Sequence, residues 1–183
     1  VGLVIELELT AEAEEFGREY KRKQDEAGIG DRFHYAGRDK RWTGFAVEHA
    51  LDEYLTQRGL PHVWNGGLDK KPDFEFGGGL GIASKANSGP GPDPGFRFVI
   101  PKDQASRLAT VALFSIISVK ERKIWVAGQI HSAHFKRVAE LRRKGEEGFV
   151  PGRPLVNDCW VVRLRDLKDP EEFFKLLEVL RAA

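Results

Sequence analysis

Between positions 87 and 95 the chain reads Asn-Ser-Gly-Pro-Gly-Pro-Asp-Pro-Gly. Pro90, Pro92 and Pro94 each lack a backbone N–H and each fix φ, so this stretch can continue neither a helix nor a central sheet strand. No long helix, coiled coil or helical solenoid can therefore run through the middle of the molecule. Strand-like residues flank the stretch on both sides, at 80–86 and 96–100. It thus reads as an exposed loop inside one domain rather than as a linker between two.

The rest of the chain alternates between helical and strand patterns. Residues 10–27 are highly charged and free of proline, with Thr10 placed to cap, acids early and Lys21, Arg22 and Lys23 late, an order that suits a helix dipole. A second helix is predicted over 42–58, where Phe45, Leu51, Tyr54 and Leu55 recur at helical spacing and Gly59 and Pro61 stop it. Strands are predicted over 60–64, 72–76 and 80–86, the last two closed by the triple glycine at 77–79. Beyond the proline loop the pattern predicts a strand at 96–100, a short helix at 101–108 and strands at 110–119 and 124–130. A basic helix at 132–144 with Ser132 as its cap, a strand at 158–164 and an amphipathic helix at 169–181 complete it. This alternation predicts an α/β domain over 1–183, with one mixed sheet flanked by helices.

Composition narrows the function. Hydrophobic residues make up 41% of the 183, enough for a packed core without disulfide staples. Lys and Arg number 29 against 28 Asp and Glu, so the net charge of +1 leaves room for local basic patches but excludes a wholesale polycation. Cys159, the sole cysteine, can form no intrachain disulfide; the run Cys159-Trp160-Val161-Val162 predicts a buried structural thiol, and so few thiols suit a reducing cytosol. Val1-Gly2-Leu3-Val4-Ile5-Glu6 predicts no signal peptide, and the apolar run at 111–119 is too short to span a bilayer. There is no His-Glu-X-X-His run and no phosphate-binding loop motif.

Chemistry concentrates in one constellation. Asp73 follows Pro72, and strand alternation puts Asp73 and Glu75 on one face with Phe74 and Phe76 on the other. On the next strand Ala83 and Lys85 share a face opposite Ile82 and Ser84. A tight hairpin then brings Asp73 and Lys85 together. Glu48 falls at helical spacing with Phe45, Leu51 and Leu55, which puts a carboxylate at the edge of an apolar helix face. Singly these are ordinary: a snorkelling acid, a turn, an edge-blunting lysine. In this order they are more specific.

Glu48, then Pro72-Asp73, then the triplet Ala83-Ser84-Lys85 resembles the PD-(D/E)XK nuclease superfamily, over roughly residues 42–119. That family has a core of helix, three-strand meander, helix and strand, and carries a helix Glu, a Pro-Asp and an acid-X-Lys triplet. The resemblance implies a restriction-endonuclease-like core and a Mg²⁺-dependent DNA nuclease, with Mn²⁺ as a possible substitute. It implies Asp73 as a metal ligand, the Ser84 carbonyl as a second, Glu48 as a direct or water-mediated third, and Lys85 orienting or deprotonating the attacking water. The triplet's first acid is missing, replaced by Ala83. Three explanations stand: a substitution made to hold substrate uncleaved, a natural loss leaving a non-catalytic nucleic-acid-binding module, or replacement by another acid, Glu75 or Glu48. Cations for phosphate contact are Arg38, Arg41, Arg97 and Lys102, with Gln104 as a polar contact to base or phosphate. DNA is the expected partner and the cytoplasm the expected compartment. No membrane is expected, and a homodimer is compatible with the sequence.

Overall fold

The computed structural model of the chain describes residues 4–28, 41–66, 71–105, 108–146 and 154–182. Its elements are β1 (Ile5–Glu8), α1 (Ala11–Glu26), α2 (Arg41–Gln57), β2 (His62–Trp64), β3 (Phe74–Phe76), β4 (Gly81–Ser88), β5 (Arg97–Pro101), α3 (Lys102–Ala105), β6 (Val111–Ser118), β7 (Lys123–His131), α4 (Ser132–Val138), β8 (Glu140–Arg142), β9 (Cys159–Arg163) and α5 (Pro170–Ala182).

Helix α1 starts as its sequence predicts: the Thr10 hydroxyl accepts the Ala13 N–H at 3.1 Å, and Glu12 and Glu14 occupy the first turn. It crosses α2 in backbone contact. A Cβ at Gly17 would lie 2.3 Å from the Trp42 carbonyl oxygen, so a side chain there would push the two helices apart. Helix α2 buries Phe45, Ala46, Val47, Ala50, Leu51 and Leu55, because α1 covers one side and the sheet the other. Gly59, at φ +66°, ends it.

The main sheet has six strands in the order β1-β7-β6-β4-β3-β2. β2, β3 and β4 form an antiparallel meander, and β4 runs parallel to β6 from Ile82↔Val111 to Ser88↔Ile117. The crossover between those parallel strands contains β5 and α3. One face of the sheet packs Phe74, Ile82, Leu113 and Val126 against Leu51, Leu55 and Phe174 of α2 and α5. The opposite face packs Phe114 and Ile116 against Phe98, Phe135 and Val162. Covered on both sides, β6 is buried at every position, which is why its sequence is nearly all apolar, broken only by Ser115 and Ser118, rather than alternating.

The α/β class and the central mixed sheet agree with the sequence reading, but four features differ, the first being β1, a strand that the sequence pattern does not predict. A second sheet, three strands in the order β5-β9-β8, packs over the Phe114 face. The expected helix at 132–144 is two elements: α4 stops at Val138, Ala139 is extended, and β8 pairs with β9 through Glu140↔Val161. Its cap is His131, whose Nδ1 accepts the Ala133 N–H at 3.2 Å, not Ser132. Asn87 and Ser88, expected to be loop, continue β4 in register with Ile116 and Ile117, so the proline loop begins two residues later, at Gly89.

Cys159 is fully buried and donates its S–H to the Asn157 carbonyl at 3.3 Å. Burial, helped by the carboxylates of Asp158 and Asp103, pushes the thiol up to about 12. The thiolate needed for reactivity is thus suppressed. Among the described residues no helix is long and apolar enough to cross a membrane.

Candidate functional site

The site begins with how the backbone holds Pro72-Asp73. Asn65, only 9% exposed, clamps both residues: its side-chain amide donates to the Pro72 carbonyl at 2.9 Å, and its own N–H donates to the Asp73 carbonyl at 2.9 Å. From the other side Gly81 admits the proline ring, since a Cβ there would lie 2.8 Å from the Pro72 ring carbons. Asn65→Ala is expected to lower stability by about 1–3 kcal/mol, because it leaves a half-buried carbonyl without its donor. Urea unfolding midpoints of the two proteins measure it, and equal midpoints would dismiss the clamp.

The β3–β4 ladder has only two registered pairs, Phe74↔Ile82 and Glu75↔Gly81. One residue beyond, where the strands part, the Asp73 carboxylate takes over: its Oδ2 accepts the Ser84 N–H at 2.7 Å. The Lys85 ammonium lies 3.8 Å from the same oxygen. These side chains are 15% and 23% exposed, so the pair is shielded but reachable from solvent. The strand alternation read from the sequence thus does bring Asp73 and Lys85 together.

Glu48 approaches from α2 and is only 7% exposed. Its Oε2 accepts the Trp64 indole N–H at 2.9 Å. Burial first, and then the negative charge of Asp73, push its carboxyl up to about 8; the Trp64 hydrogen bond and the Lys85 charge pull the other way without prevailing. Tyr20, whose hydroxyl donates to the Gly66 carbonyl, is itself shifted upward by burial and by Glu48. Trp64 belongs to an aromatic wall with Phe16 and Tyr20, at ring separations of 5.3 and 5.6 Å. Neighbouring Phe45 packs against Tyr20 with its ring tilted, at 4.6 Å between centroids. This wall keeps water from the Glu48 carboxyl.

Ala83 occupies β4 between Ile82 and the Asp73-bound Ser84, is 4% exposed and pairs with Ala112 of β6. By the pleat it shares its face with Lys85. Among the described residues no group of three His, Cys, Asp or Glu side chains is arranged to hold a metal ion. Glu75 stands opposite Gly81 and Val63, further down the ladder from Ser84 than Asp73 is. Of the two acids considered as replacements for the missing one, Glu48 is the buried one.

The proposed phosphate contacts are dispersed. Arg38 lies outside the described residues. Arg41 opens α2 with its side chain 16% exposed and paired with Asp25. Lys102, 54% exposed, lies 3.6 Å from Asp158. Gln104 is half-buried in α3, and Arg97 is half-buried on β5, opposite Arg163 of β9. Asn65 and Trp64, which position Asp73 and Glu48, escaped the sequence reading. Asn65 lies just past the strand predicted over 60–64, where the pattern assigns it no role, and the sole hint in Trp64 is an indole N–H that needs a partner when buried. Compared with known proteins, the chain matches no protein-family model and no curated sequence.

Proposed function

We propose that this chain carries a Mg²⁺-dependent DNA phosphodiesterase centre of the PD-(D/E)XK type, silenced by the loss of one acid at Ala83. The observation that carries the proposal is the pairing of Asp73 with Lys85 at the point where β3 and β4 part, beside a buried Glu48 whose carboxyl is raised by burial and by the Asp73 charge. The order α2, β2-β3-β4 meander, then β5 and the one-turn α3 ahead of β6 parallel to β4 supports it, being the order of that family's core with one strand, β5, inserted.

Two carboxylates close enough to raise one pKa are the kind of donor set that a hard divalent cation neutralises, so the residues fit Mg²⁺ in type. They are one carboxylate short. Asp73, Glu48 and the Ser84 carbonyl would hold the ion, which when bound polarises a phosphoryl oxygen and lowers the pKa of water. Lys85 would orient the attacking water, and the Asp73 carboxylate would fix Lys85. The Trp64 hydrogen bond would aim Glu48, and the aromatic wall would exclude bulk water from it.

A second reading, a non-catalytic DNA-binding module on the same scaffold, is favoured by Ala83 itself and by the absence of a three-acid group among the described residues. Both readings require that the chain as it stands hold DNA. Binding to single-stranded, duplex and branched DNA is expected, with log K for duplex falling by roughly 0.9 per phosphate neutralised as log[salt] rises. No detectable binding to any of the three at low salt would overturn both.

A further inference from the structure

The outer face of the small sheet carries charge that the Glu48–Asp73–Lys85 site does not use. Arg97 and Arg163 stand directly opposite each other across the β5–β9 ladder. Like charges in that relation destabilise a sheet. Most arginines on the described surface are neutralised locally: Arg58 by Glu171 at 2.8 Å, Arg142 by Glu140 at 2.9 Å, Arg143 by Asp158 at 3.1 Å. Among the described residues the guanidinium groups of Arg97 and Arg163 have no such partner. Both are half-buried, so water screens them less than it would a fully exposed pair.

The two guanidinium groups line a cleft of about 150 Å³ with Arg142, Glu140, Asp166 and apolar valines. That volume is well under the roughly 300–1,000 Å³ of pockets that enclose whole small molecules. The cleft suits a single anionic group that is part of something larger. Its lining holds Arg97, Arg142 and Arg163 against Glu140 and Asp166, three positive charges less two negative, a net of +1. One monoanionic group balances it. Guanidinium forks on facing strands match the paired oxygens of a phosphate.

We infer that this cleft takes one phosphodiester group of a nucleic-acid backbone, gripped between Arg97 and Arg163. The inference rests on the proposed DNA function only for the identity of the polymer. It makes the small sheet a second strand contact, separate from the site where β3 and β4 part. It also gives a like-charge pair that costs stability a use, since a bound phosphate turns repulsion into bridging.

The test uses the full chain with Ala83 in place, so that binding is read without cleavage, and a fluorescent oligonucleotide as probe. Arg97→Gln combined with Arg163→Gln is expected to weaken binding roughly tenfold or more at low salt, the loss of charge-assisted hydrogen bonds. The salt slope should become shallower by about 0.9 on duplex, or about 0.7 on a single strand, for one phosphate released. The thermal midpoint should hold or rise, because the repulsion is removed. A structural role would do the reverse: a lower midpoint with affinity unchanged overturns the inference. Should the double variant not fold, Arg163→Gln alone is read in the same assay, with unchanged affinity and slope again overturning it. Replacing the probe's phosphodiesters by neutral methylphosphonates should remove the difference between parent and variant. Inorganic phosphate that competes as well as the oligonucleotide, phosphate for phosphate, would mean a free-anion site and would overturn the backbone assignment. If parent and variant bind DNA equally, the cleft fails and the DNA function stands; if the parent binds no DNA, the polymer assignment fails with that function.

Discussion

Replacing Ala83 by glutamate is expected to confer Mg²⁺-dependent DNA cleavage that stops in chelator and that the parent lacks. Ala83 precedes Ser84, whose N–H is held by Asp73, and shares a strand face with Lys85. On the proposed reading a carboxylate there would join Asp73 and Glu48 and complete the donor set. The gain should be on the order of a hundredfold or more in cleavage rate, the size of effect that single removed groups have at such centres. Stability supplies a readout independent of turnover. Without metal, a third acid at a site only 4% exposed, beside a Glu48 already driven toward its neutral form, should cost about 1–3 kcal/mol. Mg²⁺ should then raise the thermal midpoint of Ala83→Glu but not of the parent. Ala83→Gln, similar in size but neutral, should gain neither property, and Ala83→Glu combined with Lys85→Ala should bind Mg²⁺ yet cut slowly. An Ala83→Glu protein that is not stabilised by Mg²⁺ and cleaves no DNA tested would retire the nuclease reading in favour of the binding module.

What the sequence made legible follows the range of the interactions involved. Helices α1 and α2 are written locally, in Thr10, in the acids after it and in Gly59, and their bounds fall within a residue of expectation. The Asp73–Lys85 meeting was legible for the same reason, since a hairpin is short and strand alternation is strict. What escaped was non-local. Strand β1 owes its existence to Ile5↔Val126 and its neighbours in β7, a pairing that nothing near Ile5 announces. Strand β8 looks helical in isolation because Glu140, Leu141 and Arg142 all favour helix; its pairing with β9 overrides that preference. The Asn65 clamp and the Trp64–Glu48 hydrogen bond depend on where β2 lies relative to β3 and α2. The confrontation of Arg97 with Arg163 exists only once the β5–β9 register is known.

Glu48 is expected to make the protein less stable as pH rises, and Glu48→Gln to abolish that dependence. The ordinary carboxyl value is 4.5, and in the folded chain Glu48 is pushed up to about 8. Below the lower value both folded and unfolded chains carry the proton, and Glu48 adds no pH dependence. Between the two values the unfolded chain releases its proton while the folded chain keeps it, so the folded state binds more protons and stability falls as pH rises. Above about 8 both are ionised and the full penalty remains. Glutamine keeps an oxygen to accept the Trp64 indole N–H but cannot ionise, so Glu48→Gln should match the parent near pH 4 and exceed it by about 2–4 kcal/mol near pH 9. Paired urea unfolding curves from pH 4 to 9 measure the difference, in which the titrations of other groups cancel. Parallel curves would show that Glu48 ionises freely in the folded chain and would remove the electrostatic coupling to Asp73 on which the site rests. A carboxyl that disfavours folding at neutral pH is an odd thing for a core to keep when leucine or glutamine would serve packing better. It makes sense beside a divalent cation, which favours the ionised form and so reverses the sign. Mg²⁺ added to the Ala83→Glu protein at pH 7 should therefore release protons into a weakly buffered solution, and the same addition to Ala83→Glu combined with Glu48→Gln should release fewer.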